Sequence, residues 1–516
     1  MSGVWVGRAL RTAGALVVVA ATGAVVLAGT RLAPVPTPTV TNAAVDVPPA
    51  PTTAVCPGPL VQQQATGSGA FSSAPVAPVT DVAVLAAAPA GSVLTGTVRG
   101  LDGATLATMT SEDGVTGVSA PTGPLVARAQ ASSGSARLAG VSSSVVTAGD
   151  LRGLAAATCQ TPTADAWLVG GSTAVGSTDD LVIVNSGSTT AEVTVQVFGP
   201  NGPVTLPTAM QLVAPHAEKT VSLGAVAPDE RALAVHLAAS GGQVAAWIQD
   251  SALRGYTPAG LELVVPGAGP AHRQVIPGVD VEASTGSSPD APVLRLLAPG
   301  TGGTTATVTL LGSNGPVDLP GTGTVALSGG QVTDVPLGGL PADAYTVVVD
   351  APAPVVAAME FSRTGTAGDL DPTPRVERAW VAATATGGGL AVPAPGTDTT
   401  LVVGAVAAGD QATATGSLTG TLRVLGPAGT VLATKNIAID AASTGSWPLS
   451  DLVPDASQVT GIEILSDDTR VSASWALVAQ RTQADGVLVS VLLPAAVVTG
   501  PVSVAVQQDP GLGVGR

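Results

Sequence analysis

The sequence predicts an all-β fold: tandem Ig-like β-sandwich repeats of about 110 residues behind an N-terminal membrane helix. Three observations predict it. Apolar and polar residues alternate in runs such as 193–197, where Val193, Val195 and Val197 face one way and Thr194 and Gln196 the other. That is the period of a strand with one buried face. Glycine and proline number 64 and 42 in 516 residues, a turn density suited to many short strands. Finally, three landmarks recur in one order at a near-constant interval. The glycines that open similar corners are Gly199, Gly312 and Gly426, spaced by 113 and 114. The leucines of VSLGAV, VPLGGL and WPLSDL are Leu223, Leu337 and Leu449, spaced by 114 and 112. Trp247, Met359 and Trp475 come next, spaced by 112 and 116. Solenoid repeats and single propeller blades have periods of about 20–50 residues, whereas this interval fits one sandwich. The alternative is a β-propeller in which each unit supplies two blades, to be told apart by strand count and a central channel.

The chain opens with residues 1–11, which carry Arg8 and Arg11 and no acid, and continues with an uncharged apolar run at 12–30. Arginines on the leading side hold that side in the cytoplasm. Residues 1–11 therefore read as a cytoplasmic stub and 12–30 as a transmembrane anchor, or as a signal segment if VLA at 26–28 is cut. The chain beyond residue 30 is expected to be exported: anchored in the plasma membrane, or secreted if the segment is removed. Residues 31–55, rich in Pro, Thr and Ala, read as an extended stalk.

The folded part is expected from Cys56. Residues 56–165 fit the repeat least well and form a diverged β-domain, with Asp102-Gly103 as a hairpin signal. Three sandwich repeats come after it at 166–272, 273–379 and 380–505, strung end to end as a rod, and 506–516 is a disordered tail. Cys56 and Cys159 are the chain's two cysteines. In an exported protein such a pair reads as a structural disulfide closing the diverged domain. No stretch after residue 35 shows a long helical apolar stripe.

Composition removes several functions. Lys+Arg number 20 against Asp+Glu 36, a net charge of −16, which repels nucleic acid and anionic lipid headgroups. Mean hydropathy is +0.45 and aromatics are 2%, so a broad aromatic sugar-binding face is hard to build. Of the three histidines, His236 falls in an apolar strand and His216 and His272 in loops, none beside another metal-ligating residue. No G-x-S-x-G elbow is present. The acidic pairs Glu112-Asp113, Asp179-Asp180 and Asp467-Asp468 sit among Gly, Ser and Thr and read as solvated turns. No catalytic, metal or cofactor residue is assigned. Trp167 and Trp380 precede the opening strands of their repeats and are the candidate ligand or packing aromatics. Trp247, Met359 and Trp475, repeat-equivalent, read as core.

The Gly-rich corners could suggest a phosphate loop, but no helix follows them and no lysine lies in them. Asn201-Gly202 and Asn314-Gly315 are hairpin-turn dipeptides in which both residues tolerate φ > 0. The third copy keeps Gly429 alone, so the backbone turn rather than the asparagine side chain is what repeats.

The run CPGP at 56–59, then LAAATCQTPTADAWLVGGSTAVGSTDDLVIVNSGSTTAEVTVQVFGPNG at 154–202, resembles an actinobacterial family of large secreted or membrane-anchored proteins with a domain of unknown function. The shared features are the N-terminal anchor, the Cys-Pro-Gly-Pro start, the second cysteine before Trp-Leu-Val-Gly-Gly, and the strand and turn after that run. The resemblance covers nearly all of 56–505, implies an envelope protein and brings no catalytic residue. Together these readings favour a non-catalytic, membrane-anchored cell-envelope protein acting in structure, adhesion or scaffolding. The alternative is a binding protein for cell-wall polysaccharide, and a cell-wall hydrolase ranks behind both. The expected partners are the membrane, through the helix, and envelope proteins or cell-wall glycan.

Overall fold

The computed structural model describes residues 4–29, 43–46, 50–61, 76–89, 91–110, 114–317, 323–367, 372–409, 415–466, 470–496 and 503–506. The chain forms two compact units, Met1–Val47 with Val502–Arg516, and Pro48–Pro501. The smaller holds the helix Val4–Gly29 and a strand pair, Ala43–Asp46 antiparallel to Ser503–Val506. Among the described residues no helix is long and apolar enough to cross a membrane. The tail expected at 506–516 lies outside the described residues beyond Val506, as does most of the stalk. The stalk's last residues are corrected: Thr52–Cys56 is a strand pairing with Leu125–Ala131. Its β-branched Thr52, Thr53 and Val55 suit a sheet better than a solvated spacer.

The larger unit contains the diverged domain and the three repeats, each built from antiparallel sheets packed face to face. In the diverged domain one sheet runs Thr52–Cys56, Leu125–Ala131, Leu94–Gly100, Thr105–Met109; the other runs Gly114–Ser119, Val79–Ala87, Arg137–Val146, Gly153–Thr158. Leu94, Val98 and Leu125 of the first meet Val82 and Val84 of the second. Cys56 and Cys159 are bonded within that core, so the domain's entry and exit are tied as expected.

Repeat 1 places Asp165–Val169, Ala234–Ser240 and Ala191–Gly199 in one sheet, and Ala217–Ser222, Ser177–Asn185, Ala245–Arg254 and Thr257–Val264 in the other. Repeat 3 follows the same plan, with Thr444–Pro448, Asp398–Ala407, Val471–Gln483 and Gly486–Leu492 as its second sheet. Repeat 2 differs in one respect. In repeat 1 the chain changes sheets at Gly241, whose φ of +74° interrupts the strand. Repeat 2 has Ala-Pro-Ala-Pro at 351–354 instead. Proline holds itself and its predecessor extended, so Asp343–Ala367 runs as one 25-residue strand that joins both sheets into an eight-stranded one.

The last strand of each second sheet closes its unit: Gly153–Thr158, Thr257–Val264, Pro374–Ala382 and Gly486–Leu492. The first packs against the second and fourth, and the third packs against the second and fourth as well. The chain's last unit therefore returns to its first, and the four units close a cycle. This overturns the end-to-end rod. The far face of each second sheet, which a free sandwich would expose, is covered by a neighbour. Leu85, Val141 and Leu154 of the diverged domain join the core of repeat 3, and Leu297, Val356 and Ala358 of repeat 2 join that of repeat 1. Only the second sheet of each unit reaches the shared centre, and the core inside each unit, between its two sheets, is that of a sandwich. Leu154, Leu261, Ala379 and Val489, one from each closing strand, are all buried.

Trp380 lies in Pro374–Ala382, which pairs with the long strand of repeat 2. It closes repeat 2 rather than opening repeat 3, and the boundary expected at 379 falls inside a strand.

Candidate functional site

Where the closing strands meet, they enclose a set of charged side chains. Asp179, Asp250 and Glu262 stand in register on three neighbouring strands of repeat 1. Asp179-Asp180 is thus not a solvated turn: the two residues are 1% and 6% exposed. The strand Ser177–Asn185 begins before them, so the pleat sends Asp179 toward Asp250. The pairs Glu112-Asp113 and Asp467-Asp468 lie outside the described residues.

Asp250 is the hub. Arg378 Nη2 donates to its Oδ1 at 2.5 Å and Trp380 Nε1 to its Oδ2 at 2.9 Å, both from the closing strand of repeat 2. Arg378 Nη1 lies 3.8 Å from Glu360 Oε1. Glu262 Oε1 accepts the Leu263 N–H at 2.8 Å and lies 2.9 Å from Ser490 Oγ of repeat 3. Glu377 Oε1 accepts the Leu154 N–H of the diverged domain at 3.0 Å, and its Oε2 is 4.0 Å from Arg152. Arg152 donates through Nε and Nη2 to Asp485, each at 2.7 Å. Apart from Glu262 with its own strand neighbour and Arg378 with Glu360, both within one repeat, these contacts cross a unit boundary or reach a turn beside one.

Counter-charge is short here. No donor hydrogen-bonds to either oxygen of Asp179, to Glu262 Oε2 or to Glu377 Oε2 among the described residues. Burial, then the adjacent Asp250 carboxylate, push Asp179 well above the usual carboxylate range. Burial does the same to Glu262 and to Glu377. Burial alone would lower Arg378, but the Asp250 and Glu360 carboxylates outweigh it and raise the guanidinium, which stays charged. The arrangement sets two fixed cations, Arg378 and Arg152, among carboxyl groups of which Asp179, Glu262 and Glu377 favour their protonated form. Room for Arg378 comes from Gly260, where a Cβ would overlap Arg378 Cγ and where φ is +120°.

A second cluster surrounds Trp167, which opens repeat 1 as expected. Its ring stacks on His236 at 4.2 Å and on Phe198 at 5.8 Å. His236 Nε2 lies 2.9 Å from Asp165 Oδ2 and Nδ1 lies 3.1 Å from Gln196 Oε1. Trp167, His236 and Gln196 are cross-strand neighbours in one row. Trp380, the other candidate aromatic, carries the Arg295 guanidinium 4.6 Å from its ring centre. Both tryptophans are buried, at 7% and 5%, and their rings face protein neighbours. Trp247, Met359 and Trp475 are buried as well, on equivalent strands opposite Val182, Leu294 and Val403. His216 sits in a turn at φ +53°, and His272 Nδ1 lies 3.2 Å from the Ala351 carbonyl.

The repeated corners are turns, displaced by one residue from the expected ones. Gly199 pairs with Gly202, and Gly312 with Gly315, so the central residues are Pro200-Asn201 and Ser313-Asn314. The glycines come next at φ +117° and +110°, while neither asparagine is left-handed. Proline pre-sets the first central position, and glycine is favoured at the fourth position of a type I turn. Gly429 belongs to a longer turn, with Ala428 at φ +55° and a bulge beside it.

Clefts open on the larger unit. One, of about 830 Å³, lies between repeat 3 and the second sheet of the diverged domain. One of about 310 Å³ borders Leu60 and Trp247, and one of about 230 Å³ borders Glu282 and Phe361. None of the central acids lines any of them.

Sequence reasoning missed Asp250, Glu262, Glu377 and Arg378. Asp250 and Glu262 lie singly in AAWIQDS and GLELVV, and Glu377 and Arg378 stand side by side in RVERAW, far away in the chain. The available signal was a charge inside an otherwise apolar strand, as with Glu262 between Leu261 and Leu263.

Two solved structures overlap weakly with the chain. A biofilm-associated protein BSP domain is 11% identical, with 87% of this chain and 96% of that chain covered and a TM-score of 0.14. Escherichia coli alpha-2-macroglobulin activated by porcine elastase is 11% identical over 87% of this chain and 44% of that chain, with a TM-score of 0.12. Neither overlap bears on function. No curated protein matches the chain. A family model matches residues 109–421, which hold all of repeats 1 and 2. On that match, over more than half its length, the protein belongs to the family of unknown function DUF5719.

Proposed function

We propose that this protein is a non-catalytic structural module of an actinobacterial type of cell envelope, exported by its leading apolar segment and acting in adhesion or scaffolding. One observation carries the reading: the convergent carboxylates, the groups a hydrolase would need in an open cleft, are enclosed where the four units meet. There they join units to one another. The cycle packs each second sheet against its neighbours and leaves outer strands and loops for partners. The Cys56–Cys159 bond agrees with an oxidising compartment outside the cytoplasm. Membrane retention by the helix, as against its removal, belongs to this proposal and is read by where the mature chain fractionates.

A second reading, binding of cell-wall polysaccharide, draws on one feature: a cleft of about 830 Å³ lies between two units, a common place for ligands.

The test uses the full chain in its host. Deleting the gene should weaken cell–cell or cell–surface attachment, and the re-expressed chain should restore it from the envelope fraction. Purified protein should release no soluble fragments from isolated wall. Steady release of wall fragments, abolished by Glu262→Gln or Glu377→Gln, would sink the non-catalytic reading.

A further inference from the structure

The cleft of about 830 Å³ between repeat 3 and the diverged domain holds a cation that no described residue neutralises. Arg481 lines it, half-buried, on the strand Val471–Gln483 of repeat 3. Among the described residues every other arginine that is buried or half-buried has a carboxylate within 4.0 Å: Arg378 has Asp250, Arg295 has Asp334, Arg423 has Glu463, and the rest do likewise. Among those residues Arg481 has none, and no hydrogen bond satisfies it. A guanidinium partly withdrawn from water without a counter-ion is an unfavourable arrangement, more notable in a chain with net charge −16. The loop 392–399 runs beside it: a Cβ added to Gly396, at φ +70°, would lie 3.7 Å from Arg481 Nη1.

The remaining wall has a consistent chemistry. Thr397, Thr399, Ser457 and Thr460 supply hydroxyls, and Asp398 supplies one carboxylate that does not pair with Arg481. No aromatic side chain lines the cleft among the described residues. Across from them, Ala83 and Val115 of the diverged domain form an apolar side. The volume, about 830 Å³, lies within the usual range for small-ligand sites, about 300–1,000 Å³.

We propose that this cleft binds a carboxylate-bearing saccharide, with the acid seated on Arg481 and the sugar hydroxyls on the threonine and serine wall. Arginine's planar fork matches a carboxylate with two parallel hydrogen bonds, and hydroxyl pairs serve a polyol where aromatic stacking is absent. The proposal goes beyond the scaffold reading: failure of saccharide binding leaves the scaffold reading standing, and loss of attachment in the gene deletion does not test the cleft.

The probes are cellobiuronic acid and cellobiose, which differ by one carboxylate, titrated calorimetrically into the purified full chain. Cellobiuronic acid should bind saturably and more weakly as salt rises, with cellobiose about tenfold weaker or worse. Arg481→Gln should reduce cellobiuronic acid to the cellobiose level, and Arg481→Lys should restore part of the difference, with melting temperatures of both variants unchanged. A short peptide with a free carboxyl terminus, and its amidated form, provide the competing arm. Equal binding of the two sugars, no saturable binding of either, an unaffected Arg481→Gln variant, or preference for the free-acid peptide over cellobiuronic acid each overturns the proposal.

Discussion

Arg378 and Asp250 meet across the boundary between repeats 1 and 2, guanidinium to carboxylate at 2.5 Å, with Asp250 fully buried. The same carboxylate takes the Trp380 N–H, so one side chain of repeat 1 receives two donors from the closing strand of repeat 2. Removing one partner of a buried pair leaves the other charged and unsolvated, a loss of about 3–5 kcal/mol. Asp250→Ala should therefore destabilise by about that much, while the double variant Asp250→Leu with Arg378→Met should recover most of it. Thermal unfolding of both variants is the measurement. If single and double variants melt together, the pair does not join the two repeats.

The acids beside that pair give stability an unusual pH dependence. Asp179, Glu262 and Glu377 have their folded-state values raised above the ordinary 3.8 for Asp and 4.5 for Glu. Unfolded, they ionise near those values; folded, they keep their protons to higher pH. Across that window the folded state binds more protons, so stability falls as pH rises. The contribution is fully present below the ordinary values and is lost from there up to the raised ones. Glu262→Gln keeps the shape and removes the titration. It should flatten the decline and raise the melting temperature on the alkaline side relative to the parent. A parent whose melting temperature climbs steadily from acid to neutral pH would contradict the assignment.

Close approach at the same joint leaves Gly260 no alternative. Its φ is +120° and a Cβ would overlap Arg378 Cγ. Gly260→Ala combines backbone strain with displacement of the arginine and should cost about 2 kcal/mol or more. Gly260→Ala in an Arg378→Met background should cost less additional stability than in the parent, since the clashing side chain is more adaptable and carries no charge to misplace. Equal losses in the two backgrounds would mean that the strain lies in the backbone alone.

The Cys56–Cys159 bond spans 103 residues. In the chain-entropy account a loop of that length contributes about 4–5 kcal/mol. Reduction, or Cys56→Ser with Cys159→Ser, should lower the melting temperature of the diverged domain before that of the repeats. Thiol titration of the native and unfolded chain checks the pairing first. A reduced chain that melts as the oxidised one does would show that the bond is not structural.

The parts legible in the sequence are those written locally. Alternation in 193–197 and the recurring landmarks from Gly199 to Trp475 locate the strands and repeats, because a strand's period and a turn's glycine are short-range features. The cysteine pair is legible because only two cysteines exist. Cyclic closure is not, since it depends on Gly153–Thr158 meeting Gly486–Leu492 across the length of the chain. Nor is the charge cluster. Asp179 lies in GSTDD, which reads as a turn until its partner strand is known, and its hub Asp250 and cation Arg378 belong to different repeats. The sequence pattern puts Trp380 one repeat too late because the repeat interval fixes equivalent positions and says nothing about where the chain crosses from one unit to the next.

The hairpin corners allow the local rule itself to be tested. If asparagine mattered for its tolerance of φ > 0, Asn201 would be left-handed; instead Gly202 is, at +117°, after the Pro200-Asn201 turn. A side chain on Gly202 meets open space, so the cost of Gly202→Ala is backbone strain alone, about 1–2 kcal/mol. Asn201→Ala removes an exposed side chain in an ordinary conformation and should stay within about 0.5 kcal/mol of the parent. Pro200→Ala should lose a few tenths to about 1 kcal/mol, because proline restricts the unfolded chain at a position already set for it. Unfolding of these three variants ranks the corner's residues. A ranking with asparagine first would mean that the turn is held by its side chain, and the corners would regain interest as a place for chemistry rather than for the backbone alone.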